Sequence, residues 1–437
     1  MPAYSAVPCA SVALKVAVIG GGSTYTPELV EGFLAHSSRL PVDELVLHDI
    51  DAERLQVVGG LARRIMQRRE WPGQLVLTQD RDLAIDGAGF VIVQLRVGGQ
   101  AARLLDETLP LEFGCIGQET TGPGGFAKAL RTVPVVLDIA EATARHGAKD
   151  AWVVDFTNPV GIVTQALLDE GHRAIGLCNV AIGFQRRFAA KLGVEPQRVA
   201  LEHVGLNHLT WERAVRVDGV DRLHDLIETS ADEIGADIES PAALIRLLGA
   251  IPSYYLRYFY FTDVVLKEQV SGSKRSRAEE VMAIEKTLLE MYRDPKLAEK
   301  PKLLEKRGGA YYSEAAAQLI ASLHAGTGDE QVVDIRNDGA LPGLPDDAVV
   351  EVPARIGLDG ATPGRFEPLA PELLGLVQQV KAYERLSVQA AIHGDRAAAL
   401  KALLANPLVG RYNVATALLD ALLEANRRHL PRFFNRG

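Results

Sequence analysis

The chain has 437 residues, of which 47% are hydrophobic and 24% are charged, and its formal net charge is −9 at pH 7. This length and composition allow two folded domains with a large core, and they exclude a chain that is mainly disordered. The negative charge argues against nucleic acid or an anionic membrane as a partner, although a local arginine cluster can still bind a small anion.

The three cysteines, Cys9, Cys115 and Cys178, lie far apart in the sequence. Such a sparse and odd set is not a disulfide framework, so we expect a cytoplasmic protein whose thiols stay reduced. Residues 1–13 are apolar but lack the basic start of a signal peptide, and we interpret them as a short leader. No apolar run approaches the ~18–20 residues of a membrane span, so we expect no membrane partner.

The N-terminal half of the chain alternates strand and helix patterns. Strands are predicted at residues 15–20, 44–49, 75–78, 89–95, 151–156 and 173–178, and helices at 26–37, 52–69 and 131–146. Apolar strands separated by helices are typical of a parallel sheet that is covered on both faces. We therefore predict an α/β, doubly wound domain of the Rossmann type over residues 1–200.

The alternation weakens after about residue 201, and a second domain is predicted over residues 201–437. Residues 232–304 have a mainly helical pattern, which a charged, proline-containing stretch at 293–307 interrupts. Residues 332–352 look extended, and the pattern from Pro371 onward is helical to near the end. We expect this second domain to be mixed α+β and rich in helices.

The first predicted strand leads into Gly20-Gly21-Gly22-Ser23. Gly20 and Gly22 fit the first two glycines of G-x-G-x-x-G, which allow a tight turn and a close approach of the backbone to a pyrophosphate. Tyr25 stands where the third glycine is expected. Asp49 ends the second strand, where a carboxylate binds the adenosine ribose and favours NAD over NADP. The alternative is a glycine-rich turn that binds nothing, but the order and spacing of these features favour an NAD site.

Four further segments concentrate polar residues at or beyond the ends of predicted strands. They are Leu95-Arg96-Val97-Gly98-Gly99, the glycine-rich loop at 116–125, Phe156-Thr157-Asn158-Pro159 and Cys178-Asn179-Val180. Each could be only a turn or a surface ion pair. Ligands of open α/β sheets bind at this edge, however, so together the four segments predict a ligand site.

Cys178 and His208 form a candidate metal pair. A thiolate and an imidazole suit a transition metal, and two protein ligands leave coordination positions for substrate oxygens. A buried cysteine and a core histidine are the alternative, and spacing alone does not exclude it. Residues 251–261 are dense in aromatic side chains, which an aromatic core helix would also explain. Arg277 opens a predicted helix and could bind a phosphate or simply face solvent.

In this order, the segments resemble glycoside hydrolase family 4 over essentially the whole chain from Lys15. The matching motifs are Gly20-Gly21-Gly22-Ser23-Thr24-Tyr25-Thr26-Pro27-Glu28-Leu29, Arg96-Val97-Gly98-Gly99, Gly117-Gln118-Glu119-Thr120-Thr121-Gly122, Thr157-Asn158-Pro159, Cys178-Asn179-Val180, Gly205-Leu206-Asn207-His208 and Tyr255-Leu256-Arg257-Tyr258. The pair Cys178-Asn179 looks like the 6-phospho-β-glucosidase branch. Ala181 departs from the pattern, because proline is expected there.

The resemblance implies a fold like that of lactate and malate dehydrogenases. It also implies the hydrolysis of 6-phospho-β-glucosides with NAD and a divalent metal, usually Mn2+, as cofactors. The implied chemistry is oxidation at C3 of the sugar, proton abstraction at C2, elimination, water addition and re-reduction at C3, and the family is one of the NAD-dependent exceptions among glycosidases. The implied partner is a small phosphorylated glycoside, and homodimers or homotetramers are common in the family.

The resemblance also assigns roles to residues. It places NAD against Gly20, Gly22, Ser23, Thr24 and Asp49, and it makes Cys178 and His208 the metal ligands. Tyr255 matches the base, and its neighbour Tyr254 is the less favoured choice. Asn179 is a second catalytic position that also contacts the sugar, together with Glu119 and Asn158, while Arg96 and Arg277 match the 6-phosphate. The phenol of a free tyrosine has a pKa near ~10, which a neighbouring cation can lower.

Three other functions remain open at this point. An α-glycosidase of the same family would act on phosphorylated or free sugars. A 2-hydroxy acid dehydrogenase of the lactate/malate type shares the glycine loop but needs a catalytic His–Asp pair, for which the segment around His208 has no obvious partner. A non-catalytic NAD-sensing protein would have no need of Cys178, His208 and Tyr255 together.

Overall fold

The structure is a computed structural model that describes residues 14–272, 275–309 and 311–434. Cys9 and the leader interpreted at residues 1–13 lie outside the described residues. Within them, none of the helices combines the length and the apolar composition that a membrane crossing needs.

The described residues contain thirteen strands, and all of them belong to one sheet. The strands are β1 (Leu14–Ile19), β2 (Val42–His48), β3 (Gln74–Thr78), β4 (Phe90–Val93), β5 (Trp152–Asp155), β6 (Ala174–Gly176), β7 (Val199–Leu206), β8 (Leu209–Val217), β9 (Val220–Asp221), β10 (Ile251–Pro252), β11 (Glu330–Arg336), β12 (Val349–Gly357) and β13 (Gly360–Pro363).

The helices surround this sheet. They are α1 (Thr26–Ala35), α2 (Ala52–Arg68), α3 (Arg81–Ile85), α4 (Gly99–Thr108), α5 (Gly122–His146), α6 (Val160–Asp169), α7 (Val180–Leu192), α8 (Leu223–Asp237), α9 (Ala242–Leu248), α10 (Arg257–Tyr260), α11 (Thr262–Val270), α12 (Arg277–Tyr292), α13 (Leu304–Arg307), α14 (Tyr312–Ala325), α15 (Pro371–His393), α16 (Arg396–Ala405), α17 (Tyr412–Ala425) and α18 (Pro431–Phe434).

The N-terminal strands form the parallel part of the sheet, in the order β3-β2-β1-β4-β5-β6. This is the strand order of a doubly wound Rossmann fold, so the predicted fold class is confirmed for this half. The central strands are buried on both faces, and Val16, Ala17 and Val18 are fully inaccessible to solvent. Their continuous apolar runs are what a sheet covered by helices on both faces requires.

The C-terminal strands extend the same sheet in antiparallel fashion. β11 pairs with β6 through Asp334 and Gly176, and β12, β7, β8 and β10 follow in that order. The sequence did not predict the β7–β8 hairpin, because both strands carry charged residues among the apolar ones. The domain boundary near residue 200 stays a prediction, since one continuous sheet crosses that point.

The predicted loop at 116–125 is only partly a loop, because α5 begins at Gly122 rather than near Arg131. Glycines make this early start possible. A Cβ at Gly124 would lie 2.2 Å from the Gln118 carbonyl oxygen, and one at Gly125 would lie 2.3 Å from the Thr120 carbonyl oxygen. The glycine-rich composition that suggested a loop therefore reflects close packing of a helix start against the preceding backbone.

A buried ion pair ties α5 to α4 and to the C-terminal end of α17. Arg131 is 1% exposed and donates two hydrogen bonds to Asp106, at 2.9 and 2.7 Å, and a third to Asn426 at 2.7 Å. Asp106 is itself fully buried. Removal of one partner would therefore leave an uncompensated charge in the core.

We expect Arg131→Met to lower the free energy of unfolding by about 3–5 kcal/mol, the usual cost of breaking a buried ion pair. Urea unfolding at pH 7 measures the change. Arg427→Met is the matched control, since Arg427 pairs with Glu424 at an exposed position and its removal should change little. Equal stability of the two variants would contradict the prediction.

Candidate active site

A large cavity lies at the carboxyl ends of the parallel strands. Its volume is about 960 Å3, and we call it the central cavity. The sequence-predicted residues that line it are Ser23, Arg96, Glu119, Asn158, Asn179, Tyr255 and Arg277. These come from the loops after β1, β4, β5 and β6, from the segment before α5 and from the C-terminal half, so the fold brings together segments that are remote in the sequence.

A second cavity of about 1130 Å3 surrounds the glycine run, and we call it the glycine-loop cavity. Gly20, Gly22, Ser23 and Asp49 line it. Gly20 has a φ of +95°, and a Cβ there would lie 2.6 Å from the Gln94 carbonyl oxygen. Asp49 Oδ2 accepts a hydrogen bond of 2.8 Å from the Gly22 backbone N–H, which fixes the loop against the end of β2.

The two cavities share part of their walls. Ser23, Gln94, Leu95, Arg96 and Arg307 line both of them. A nucleotide bound along the glycine loop would therefore reach the central cavity at its end. One end of such a nucleotide would then lie beside a ligand in the central cavity.

Thr24 and Tyr25 connect the glycine loop to the C-terminal half. The Thr24 hydroxyl lies 3.1 Å from Glu285 Oε1 and 2.8 Å from Arg307 Nε, and Thr24 lines neither cavity. Its role as a cofactor contact stays a prediction. Tyr25, in place of the third glycine, donates to the Gly309 carbonyl oxygen at 2.8 Å and accepts from the Ser313 N–H at 3.0 Å.

Cys178 and His208 are both buried beside the central cavity. Cys178 follows β6, and His208 lies in the turn between β7 and β8. The φ of His208 is +64°, a backbone conformation that residues other than glycine rarely adopt. Among the described residues, no group of three or more His, Cys, Asp and Glu side chains could hold a metal ion. A metal held by Cys178 and His208 would keep further coordination positions for ligand oxygens.

The protonation of the pair suits a metal site. Burial, together with the Lys128 charge, lowers the pKa of His208 to about 3, so its imidazole is neutral and can coordinate. Burial, with Glu351 nearby, raises the pKa of the Cys178 thiol well above its ordinary value. A bound cation would reverse that shift, because coordination deprotonates a thiol.

Tyr255 lies directly on the candidate metal ligand. Its ring stacks on the His208 ring, with centroids 3.6 Å apart and planes 7° from parallel. Burial raises the pKa of the Tyr255 phenol well above 10, and the nearby Cys178 adds to this shift. A divalent cation between these groups would act in the opposite direction and lower that pKa.

Glu119 lies at the centre of a cation cluster. It pairs with Arg96, with Lys128 at 2.8 Å and with Arg103 at 3.3 Å. Although burial opposes its ionisation, these three cations hold the pKa of Glu119 well below its usual range. The adjacent Thr120 Oγ1 lies 3.0 Å from His208 Nδ1, so the residue next to Glu119 contacts the candidate metal ligand.

Asn158 and Arg277 differ in the hydrogen bonds that they form within the protein. Asn158 Oδ1 is buried and has no hydrogen-bond partner among the described residues, so it suits a hydroxyl of a bound ligand. Arg277 is about half exposed, donates to Glu280 Oε2 at 3.0 Å and donates to the Lys306 carbonyl oxygen at 2.9 Å. Both residues line the central cavity.

The sequence did not identify Lys128, Tyr312 and Arg307 as site residues. Lys128 is 3% exposed and lies in the first turns of α5. Its position in an otherwise apolar helix start is the one sequence feature that could have identified it as a site residue. The Tyr312 hydroxyl lies 3.8 Å from Cys178 Sγ. Arg307 joins the two cavities, but nothing in the local sequence around it distinguishes it from a surface arginine.

Ala181, which departs from the expected proline, lies in the first turn of α7 and is buried. Backbone N–H groups in a first helical turn have no acceptor within the helix, so alanine and proline both fit there. Either residue at this position is therefore compatible with the start of α7.

Family models and known proteins match this chain over most of its length. The family model described as "Family 4 glycosyl hydrolase" matches residues 15–194, and the model of the C-terminal domain of the same family matches residues 203–409. A probable 6-phospho-beta-glucosidase of Bacillus subtilis (strain 168) is 44% identical over 436 residues, covering 97% of this chain and 98% of its own.

Solved structures that resemble this chain point to the same family. The 6-phospho-beta glucosidase from Thermotoga maritima with NAD and glucose-6-phosphate has a TM-score of 0.90 and 37% identity, covering 96% of this chain and 99% of its own. A second structure of that protein, with manganese, NAD+ and glucose-6-phosphate, has a TM-score of 0.88. The malate dehydrogenase of Cryptosporidium parvum, at 15% identity, a TM-score of 0.53 and coverage of 87% and 99%, shares the fold alone. The predicted dehydrogenase-like fold is thereby confirmed.

Proposed function

The chain belongs to family 4 of the glycosyl hydrolases, and from this we propose that it hydrolyses 6-phospho-β-glucosides with NAD and a divalent metal such as Mn2+. One observation carries the proposal most directly. Tyr255 stacks on His208, beside Cys178, in the wall of a cavity that adjoins the glycine-loop cavity. A base and metal ligands next to a nucleotide are what oxidation at C3 followed by proton abstraction at C2 requires.

The cofactors fit the residues present. The backbone at Gly20 and Gly22 would carry the NAD pyrophosphate, and Ser23, Thr24 and Asp49 are the other proposed contacts. Bound NAD+ accepts a hydride from the sugar and returns it within one turnover. Cys178 and His208 would hold the metal, which as a Lewis acid polarises the sugar oxygens.

The remaining residues bind and orient the sugar. The Tyr255 phenolate oxygen takes the proton from C2, and Asn179, next to Cys178, is the second catalytic position. Asn158 Oδ1 accepts from a sugar hydroxyl, and Glu119 holds the surrounding cations in place as well as facing the sugar. Arg96 and Arg277 bind the 6-phosphate, because a guanidinium fork matches a phosphate dianion.

We also propose that the protein works in the cytoplasm, where phosphorylated sugars are kept, and that it forms a homodimer or homotetramer. Its ligand in this proposal is a phosphorylated sugar, like the glucose-6-phosphate of the Thermotoga maritima structures.

The chemistry is tested by running the reaction in D2O. We expect p-nitrophenyl 6-phospho-β-glucoside to give glucose 6-phosphate that carries deuterium at C2, because Tyr255 exchanges its proton with solvent. The 6-phospho-α-glucoside and the unphosphorylated β-glucoside are the controls for anomer and phosphate. A product free of deuterium would exclude proton abstraction at C2, and NADH that accumulates with turnover would favour a dehydrogenase instead.

A further inference from the structure

A row of buried residues crosses the sheet just before the segments that carry the candidate metal ligands. In the strand register the row runs through Asp155, Gly176, Asp334, Glu351 and Gly205. Gly176 lies two residues before Cys178, and Gly205 lies three residues before His208. The three carboxyl side chains of the row are buried, and the proposed reaction uses none of them.

Glu351 of β12 accepts a hydrogen bond on each of its carboxylate oxygens. Its Oε1 lies 3.2 Å from His203 Nε2, and its Oε2 accepts from Asn207 Nδ2 at 2.9 Å. Glu212, opposite His203 in the β7–β8 hairpin, lies 2.5 Å from the other ring nitrogen of this histidine. Although burial opposes it, Glu212 and Glu351 raise the pKa of His203 to about 10, so both ring nitrogens carry a proton and can donate.

Asn207 connects this cluster to the turn that carries His208. Its side-chain nitrogen donates to Glu351 Oε2 and lies 3.4 Å from Asp334 Oδ2. Asn207 and His208 form the two-residue turn between β7 and β8, in which His208 has a positive φ. Such a backbone conformation persists only where neighbouring groups hold it. The hydrogen bond from Asn207 to Glu351 is one such constraint, because it ties the turn to β12.

We propose that Glu351 is a positioning residue for the metal, and that it acts by holding Asn207 and with it the His208 imidazole. The inference rests on the proposed function, because it assumes that His208 binds the metal. Groups that orient a metal ligand typically contribute to the affinity for the metal. Glu351 contacts neither the sugar nor the nucleotide in this arrangement, since it lines neither the central cavity nor the glycine-loop cavity.

Glu351→Gln tests the inference with Mn2+ binding as the readout. A glutamine has one acceptor oxygen, so its amide nitrogen must face either the His203 N–H or the Asn207 amide, and one of the two hydrogen bonds is lost. Mn2+ is titrated into the NAD+-loaded enzyme with glucose 6-phosphate present, and electron paramagnetic resonance measures the free ion. We expect the Kd for Mn2+ to rise about tenfold, the lower end of the usual cost of losing a group that orients a metal ligand.

Asn207→Ala tests the same connection from its other end. Asn207 is only half-buried, so this variant keeps the inference testable even if Glu351→Gln does not fold. It removes the amide that Glu351 holds, and the Kd for Mn2+ should rise by a similar factor. NAD+ binding, measured by fluorescence quenching without the metal, should stay at the wild-type level in both variants.

Glu212→Gln is the matched control. It removes a carboxylate from the same cluster, but its amide oxygen can still accept from His203. Its amide nitrogen then takes the place of Glu212 Oε2, which has no hydrogen-bond partner among the described residues. Thermal unfolding should show a loss of stability in Glu212→Gln and in Glu351→Gln, because each alters a buried ion pair. Only Glu351→Gln should weaken Mn2+ binding.

Two results would overturn the inference. One is a wild-type Kd for Mn2+ in folded Glu351→Gln or in Asn207→Ala. The other is an equal rise in Glu212→Gln, which would assign the effect to the charge or the stability of the whole cluster. If the wild-type enzyme binds no Mn2+, the proposed function fails instead, so the wild-type titration distinguishes the two failures.

Discussion

Tyr255→Phe should lower turnover of the 6-phospho-β-glucoside by about 10²–10⁴-fold, the usual contribution of a positioned base. The substitution removes only the phenol oxygen, so the ring can still stack on His208 and the fold should be retained. NAD does not contact this oxygen in the proposed arrangement, and its binding should stay at the wild-type level. Release of p-nitrophenol and quenching of protein fluorescence by NAD+ measure the two quantities.

Two other tyrosines of the same aromatic segment serve as comparisons. Tyr260 lines neither the central cavity nor the glycine-loop cavity, so Tyr260→Phe controls for the loss of one hydroxyl in this region. Tyr254, whose hydroxyl accepts a hydrogen bond of 2.9 Å from Arg257, is the other candidate for the base. If Tyr254→Phe abolished turnover and Tyr255→Phe did not, the assignment of the base would be wrong.

Removal of the divalent metal should reduce activity to background, and Mn2+ should restore it. The reason lies in the pKa of Tyr255, which burial raises well above 10, so that without a nearby cation almost no phenolate exists at neutral pH. The same reasoning predicts that Cys178→Ala raises the Mn2+ concentration needed for activity by more than about 100-fold, since even loss of an outer partner of a metal ligand costs 10–100-fold.

Cys115→Ala is the matched control for the cysteine variant. Cys115 is the other described free cysteine, it is buried in the main core, and it lines neither the central cavity nor the glycine-loop cavity. Its replacement should leave the Mn2+ requirement unchanged. Full activity after exhaustive chelation, or an unchanged Mn2+ requirement in Cys178→Ala, would contradict the proposed role of the metal.

The sequence alone determined the N-terminal fold and the identity of the main chemical groups. Strand periodicity, the glycine run and Asp49 are local patterns, and each predicted parallel strand overlaps an observed one. Cys178, His208 and Tyr255 were found by their motifs, because a family motif preserves residue type and order even where it says nothing about distance.

The tertiary structure decided which of these groups meet and what surrounds them. Glu119 forms an ion pair with Lys128, which lies nine residues later in the first turns of α5. Tyr25 forms hydrogen bonds with Gly309 and Ser313, which belong to the C-terminal half of the chain. No local pattern encodes such pairs, since they depend on how the C-terminal strands and helices pack onto the parallel sheet.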